Sequence, residues 1–182
     1  MYGMINEGIR AFILKHHDKE TWEAICQKAS VGDQQFDGMK SYDDGITYQL
    51  VGAISEHTGL SSGEVLTKFG SHWVDYAGES RFGNLMKVAG DSFLERLNGL
   101  DDMHARIQLS MPNLKPPSFK LEEVADRTYR LHYFSQRTGL DSMVVGLLYG
   151  MAEETGEKIK VNQIAEKSDT VDHSVFEIAV VN

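Results

Sequence analysis

Cys26 is the only cysteine among the 182 residues, which excludes a disulfide framework and any zinc site built on cysteine pairs. Long apolar runs are missing too. None approaches the roughly 18 residues that a transmembrane helix requires. The opening Met1-Tyr-Gly-Met-Ile-Asn-Glu7 has no basic region followed by an apolar stretch, so no signal peptide is visible and a cytoplasmic protein is expected. Basic residues are scarce: 18 Lys and Arg stand against 27 Asp and Glu, for a net charge of −9 with no basic cluster. That balance argues against nucleic acid and anionic membrane surfaces as partners. There is no His-Glu-x-x-His, no P-loop, no nucleophile elbow and no Gly-x-Gly-x-x-Gly. Carboxylates are plentiful, but no pair stands out as acid and base, so an enzyme is not expected.

Proline is almost as rare. All three prolines, Pro112, Pro116 and Pro117, fall within six residues and break any helix there. They mark the one clear internal boundary in what reads as a single domain over 1–182. Before it, residues 1–110 follow a helical period. Ile5, Ile9, Phe12 and Ile13 share one helical face, and Trp22, Ile25 and Ala29 continue the pattern in a short second helix. Residues 31–45, with Gly32, Asp33, Gly38, Asp43, Asp44 and Gly45, read as loop. A third helix ends near Gly59, and Ser61-Ser-Gly-Glu64 has the form of a capping box. The pattern then predicts a separate helix from about Ser71 and another near 82–89. The longest is capped by Asp91 or Ser92 and runs to about Leu109. Over 111–182 the period changes to two, interrupted by one helical stretch from Ser142 to about Glu154, which gives β-β-α-β-β.

Two features carry candidate chemistry. Tyr133, Ser135 and Arg137 alternate at the end of the predicted strand from Thr128, so they aim a phenol, a hydroxyl and a guanidinium one way. Such a row suits a ligand with two carboxylates, since Arg grips a carboxylate bidentately. Taken alone, the triplet reads first as the polar face of an ordinary amphipathic strand. His104 lies 29 positions before Tyr133, in the apolar stripe Phe93, Leu97, Leu100, His104, Ile107. A histidine there is either a satisfied core residue or a metal ligand. Haem would use both features. Of the remaining histidines, His16 and His17 precede Asp18 near a helix end, His57, His72 and His132 show no partner at metal-ligand spacing, and His173 beside Asp172 reads as loop. Gly146-Leu-Leu-Tyr-Gly150 places small residues four apart, a pattern of close helix packing.

Asp102-Met-His104, Lys115-Pro-Pro117, Tyr133-x-Ser-x-Arg137 and Gly146-Leu-Leu together resemble the haem nitric oxide/oxygen-binding (H-NOX) domain, which is related to the haem module of soluble guanylate cyclase. The resemblance runs through essentially the whole chain in order. It implies an α+β fold: a helical N-terminal lobe, then a C-terminal lobe with a four-stranded antiparallel sheet and packed helices, and haem b between them. It implies that His104 ligates the iron and that Tyr133, Ser135 and Arg137 hold the haem propionates. Pro117 would press on the porphyrin, and Ile5 and Leu147 would pack against the ring.

The distal tyrosine that lets some members hold oxygen has Met143 as its counterpart here, and methionine donates no hydrogen bond. Val144 and Trp73 are the other expected distal residues, with the direction of the Trp73 indole N–H left open. The resemblance therefore implies a sensor of nitric oxide, able also to take carbon monoxide, that excludes oxygen. Its signal would pass to a histidine kinase or a cyclic-di-nucleotide enzyme, and a monomer would suffice. Two rivals stand beside it: a haem-free module that clamps an acid with Arg137, and a haem peroxidase-like enzyme, which would need a distal acid–base group.

Overall fold

A computed structural model describes residues 1–32, 35–88 and 90–181. Asp33 of the expected loop and residue 89 of the expected helix near 82–89 lie outside them. The described elements are α1 (Gly3–His16), α2 (Lys19–Lys28), α3 (Asp44–Thr58), α4 (Ser62–Glu79), α5 (Gly83–Val88), α6 (Phe93–Asn98), α7 (Leu100–Gln108), β1 (Ser118–Ala125), β2 (Thr128–Phe134), α8 (Asp141–Thr155), β3 (Lys158–Ala165) and β4 (Ser174–Val181). Helices come first and a four-stranded antiparallel sheet of order β1-β2-β4-β3 last, with α8 inserted, which is the expected α+β arrangement.

Local chemistry sets most boundaries. The Asp18 side chain accepts the Thr21 N–H to start α2, and Asp43 accepts that of Gly45 to start α3. Gly59, at φ 75°, ends α3 in the left-handed region. Ser61 with Glu64, and Ser92 with Glu95, form reciprocal capping boxes for α4 and α6.

Three sequence expectations are corrected. No helix begins at Ser71, because α4 runs unbroken from Ser62 to Glu79 and is the longest helix described. Its apolar residues Val65, Leu66, Phe69, Val74 and Ala77 keep one buried face throughout. The helix expected to run from Asp91 or Ser92 to Leu109 is two helices, α6 and α7, joined at Gly99. Asn98-Gly99 combines weak helix formers, and the Gly99 N–H is shared between the Glu95 and Leu97 carbonyls where α6 ends. Finally, β2 stops at Phe134, so Ser135 and Arg137 lie beyond the strand. There the Ser135 hydroxyl accepts the Arg137 N–H at 3.0 Å, and Gly139, at φ 75°, turns the chain towards α8.

The sheet has one apolar and one charged face. Phe119, Leu121, Leu131, Tyr133, Phe176 and Ile178 are paired in register on the inner face and pack with Val144, Leu148 and Met151 of α8. Lys120, Glu122, Arg130, His132 and Glu177 share the other. Helix α8 in turn crosses α4 at very short range. A Cβ on Gly146 would lie 2.0 Å from the Thr67 carbonyl oxygen, and one on Gly70 would lie 2.3 Å from that of Met143. Backbones this close are held by hydroxyls of α4: Thr67 donates to the Ser142 carbonyl at 3.1 Å and Ser71 to that of Gly146 at 3.0 Å.

The apolar core is divided into three clusters. The first joins α1, α2, α3 and α4; the second joins the inner sheet face, α8 and α6; the third gathers Tyr2, Phe82, Ile107 and Met111.

Two predictions follow from this packing. Gly146→Ala should cost about 1–3 kcal/mol in urea unfolding, because the helices must move apart. Gly52→Ala, in α3 with nothing within 4 Å of the added Cβ, should gain about 0.5–1 kcal/mol. The second concerns His72 of α4, whose two ring nitrogens are buried without hydrogen bonds between Phe12 and Tyr76. Burial, with Lys15 adding repulsion, lowers its pKa. The unfolded chain then takes the proton first, so this contribution to stability is complete above about pH 6.5 and is lost as pH falls below it. His72→Phe should remove that share of the acid sensitivity between pH 7 and 5, read as the difference between wild-type and variant unfolding curves.

Candidate functional site

The three apolar clusters meet at a deep cavity between the N-terminal helices and the sheet. Ile5, Trp73, His104, Pro117, Tyr133, Ser135, Arg137, Met143, Val144 and Leu147 all line it. The structure thus brings together every candidate that the sequence offered. No carboxylate and no second histidine lines the cavity among the described residues.

His104 enters from α7. This helix buries only Ile107, so packing holds it lightly. Its first turn is pinned to β1 by Asp101, which accepts from the Ser118 hydroxyl at 2.5 Å and the Phe119 N–H at 2.8 Å. The Phe119 ring stacks on the His104 imidazole with centroids 6.2 Å apart, and Tyr133 lies next to Phe119 at 5.5 Å, tilted by 32°. Nδ1 of His104 is buried and finds no partner in hydrogen-bonding geometry, although the Pro117 carbonyl favours a proton on the ring. Burial is the stronger influence and lowers the His104 pKa, which keeps the imidazole neutral, the form that binds metal.

The polar end of the cavity is built by a turn, not by the straight strand that the alternation suggested. Tyr133 is inner-face β2, and burial raises the pKa of its phenol, so it stays a neutral donor. Arg137 reaches back across the molecule. Its Nε donates to Asp44 Oδ2 at 2.8 Å, Nη2 to Asp44 Oδ1 at 3.4 Å and Nη1 to the Lys115 carbonyl at 2.9 Å. A guanidinium has five N–H groups; three are used here, so two remain for a ligand. Burial opposes the charge on Asp44, but hydrogen bonds from the Met1 amino group and Arg137 outweigh it and lower the Asp44 pKa.

The other wall comes from α8, α4 and α1. Met143, Val144 and Leu147 project from α8 and offer no hydrogen-bond donor. Ile5 and Trp73 pack against the first apolar cluster. The Cζ3 edge of Trp73 faces Gly8, where an added Cβ would come within 2.8 Å. The N–H edge is the opposite one, and it makes no hydrogen bond to a described residue.

Sequence reasoning missed Asp44, Asp101 and Phe119. Asp44 read as one more acidic loop residue, since a partner 93 positions away leaves no local trace. Phe119 falls in the stretch of period two after the prolines, where nothing marks it beyond strand core, and it packs against the second cluster as well.

An apolar cavity, a neutral histidine with a buried orphan nitrogen on one wall, and neutral and cationic donors at one end fit haem: apolar in its ring, anionic at its edge, needing an axial ligand. Comparison with known proteins agrees. The sequence pattern of the Haem-NO-binding family matches residues 2–163. Soluble guanylate cyclase gcy-31 of Caenorhabditis elegans is 30% identical over 154 residues, covering 85% of this chain and 22% of that protein. Soluble guanylate cyclase 89Db of Drosophila melanogaster is 27% identical over 154 residues, covering 85% and 23%. The chain therefore spans between a fifth and a quarter of the length of these relatives. Among solved structures, the Fe(II)NO form of an H-NOX protein from S. oneidensis superposes with a TM-score of 0.89 at 20% identity over 100% of both chains. An oxygen-binding H-NOX domain in its oxygen complex gives 0.82 at 19% identity, covering 100% and 96%. With the family pattern extending over most of its length, the chain belongs to the Haem-NO-binding (H-NOX) family of haem-based gas sensors related to soluble guanylate cyclase, and its cofactor is haem.

Proposed function

We propose that this chain, acting as one domain, senses nitric oxide, excludes oxygen and passes the signal to a separate effector protein. The observation that carries this reading is the contrast between the cavity walls: a neutral histidine on one, and the donor-free side chains Met143, Val144 and Leu147 on another. Haem, when bound, supplies an iron atom that takes a diatomic gas. His104 is its protein ligand in this reading. Tyr133, Ser135 and the two spare N–H groups of Arg137 hold the carboxylates, while Pro117, Ile5 and Leu147 shape the apolar seat.

Gas choice follows from the donors. Dioxygen draws charge and gains from a hydrogen bond, whereas nitric oxide and carbon monoxide depend on one much less. Met143 cannot donate. The Trp73 N–H is unspent, but its ring is fixed against Gly8 and Phe69. A peroxidase-type reaction is left without its acid–base group on the cavity wall.

The switch works through α7. With His104 tethered, the helix is fixed at both its cavity side and its Asp101 anchor. With the tether slack, Ile107 and the Asp101 bonds are the main restraints, and the break at Gly99 gives α7 a pivot. A moving α7 is what an effector, a histidine kinase or a cyclic-di-nucleotide enzyme, would read. No helix among the described residues is long and apolar enough to cross a membrane, which accords with a cytoplasmic place for such a sensor. A monomer suffices for this scheme.

Two variants test the roles. His104→Gly should lose the five-coordinate ferrous spectrum of the loaded protein. Met143→Tyr should gain an oxygen complex. A His104→Gly spectrum identical to wild type would remove the ligand assignment. A tyrosine variant that still ignores oxygen would show that the missing donor is not what excludes it.

A further inference from the structure

Four titratable side chains from two distant stretches of sequence, Glu122 with His132 and Asp172 with His173, form a chain beside the outer face of the sheet. Nδ1 of His132 lies 2.8 Å from Nε2 of His173. The outward nitrogens each meet a carboxylate: His132 Nε2 is 3.5 Å from Glu122 Oε2, and His173 Nδ1 is 2.5 Å from Asp172 Oδ1. Both imidazoles are three-quarters buried, and Phe134 stacks on His173 at 4.2 Å.

An ionised carboxylate only accepts. If both carboxylates are served by ring N–H groups, the two facing nitrogens each present a lone pair at 2.8 Å, which is repulsive until a cation lies between them. A zinc ion would need its two nitrogens roughly 3.4 Å apart, from Zn–N bonds of about 2.1 Å in tetrahedral geometry. Nor does any group of three or more ligating side chains among the described residues suit a metal. The spacing fits a proton.

We infer that His132 and His173 share one extra proton, and that this proton latches the 166–173 loop to the end of β2. With it in place, Glu122 on β1, His132 on β2 and the Asp172-His173 pair ahead of β4 form one unbroken run of contacts. Without it, one contact loses its hydrogen. A second proton is opposed by the first and by Lys120, which pairs with His132 in register, and Arg130 on the same face; Glu177, opposite Arg130, offsets the latter. Lys167 is the remaining cation in reach, and it acts on Asp172.

The latch bears on the cavity. The Lys167 ammonium donates to the Ser135 carbonyl, and its backbone N–H bonds the Ser174 hydroxyl at 3.0 Å. The loop thus grips the turn that launches Ser135 and Arg137, while Leu131 and Tyr133, flanking His132, line the cavity. Loss of the proton loosens that turn. This last consequence rests on the sensor reading; the latch itself does not, so its test is read on the loop.

The experiment is a ¹⁵N imidazole NMR titration of the protein, with amide exchange of Ser168 and Val171 followed across the same pH range. The two rings are expected to take up a single proton with a common midpoint. Protection of both amides, corrected for intrinsic exchange, should fall about tenfold as that proton leaves, the weight of one charge-assisted hydrogen bond. His132→Gln and His173→Gln should each abolish the pH dependence of the loop. Rings that each bind a proton independently, loop protection indifferent to pH, or a divalent ion held between the rings would overturn the assignment.

Discussion

A core divided in three is the constraint on which the rest of this structure depends. Most small domains bury one continuous apolar mass. Here three clusters end at a shared cavity. A chain of this kind leaves apolar wall unsatisfied until a large apolar ligand completes it, so ligand binding and folding stability are linked. Haem is the cofactor of this family, and the cavity lies where the helices meet the sheet.

Two contacts keep the walls in register. One is the crossing of α4 and α8, where Gly70 and Gly146 let the backbones approach and the hydroxyls of Thr67 and Ser71 lock them. It fixes Trp73 and Met143 relative to each other. The other is the Asp44–Arg137 ion pair, which ties the start of α3 to the turn after β2. That pair orients the guanidinium without exhausting it. Against these rigid parts, α7 is the lightly held element, with one buried residue and a break at its start. A sensor needs such a contrast, because a site that is stiff everywhere transmits nothing and one that is soft everywhere holds no ligand in place.

Much of this was legible in the sequence, and the reasons differ by element. The helical and alternating periods revealed the order of elements because amphipathic faces must be buried. The prolines marked the boundary because they cannot donate. His104 stood out as a polar residue in an apolar stripe. What escaped was non-local or fine-grained. The Gly99 break was hidden by an apolar stripe that continues across it. The turn at Ser135 imitated a strand, because alternation on paper does not show where hydrogen-bond pairing stops. Asp44 and the His132–His173 pair depend on partners 93 and 41 positions away, a distance over which no spacing rule operates.

The most direct measurement is the visible spectrum of the reduced, haem-loaded wild-type protein in air and then under nitric oxide. The account predicts a five-coordinate ferrous spectrum that air leaves unchanged as a ligand complex and that nitric oxide converts at once. A stable oxygen complex would contradict the donor-free wall formed by Met143, Val144 and Leu147, and would point to the Trp73 N–H as the donor at work.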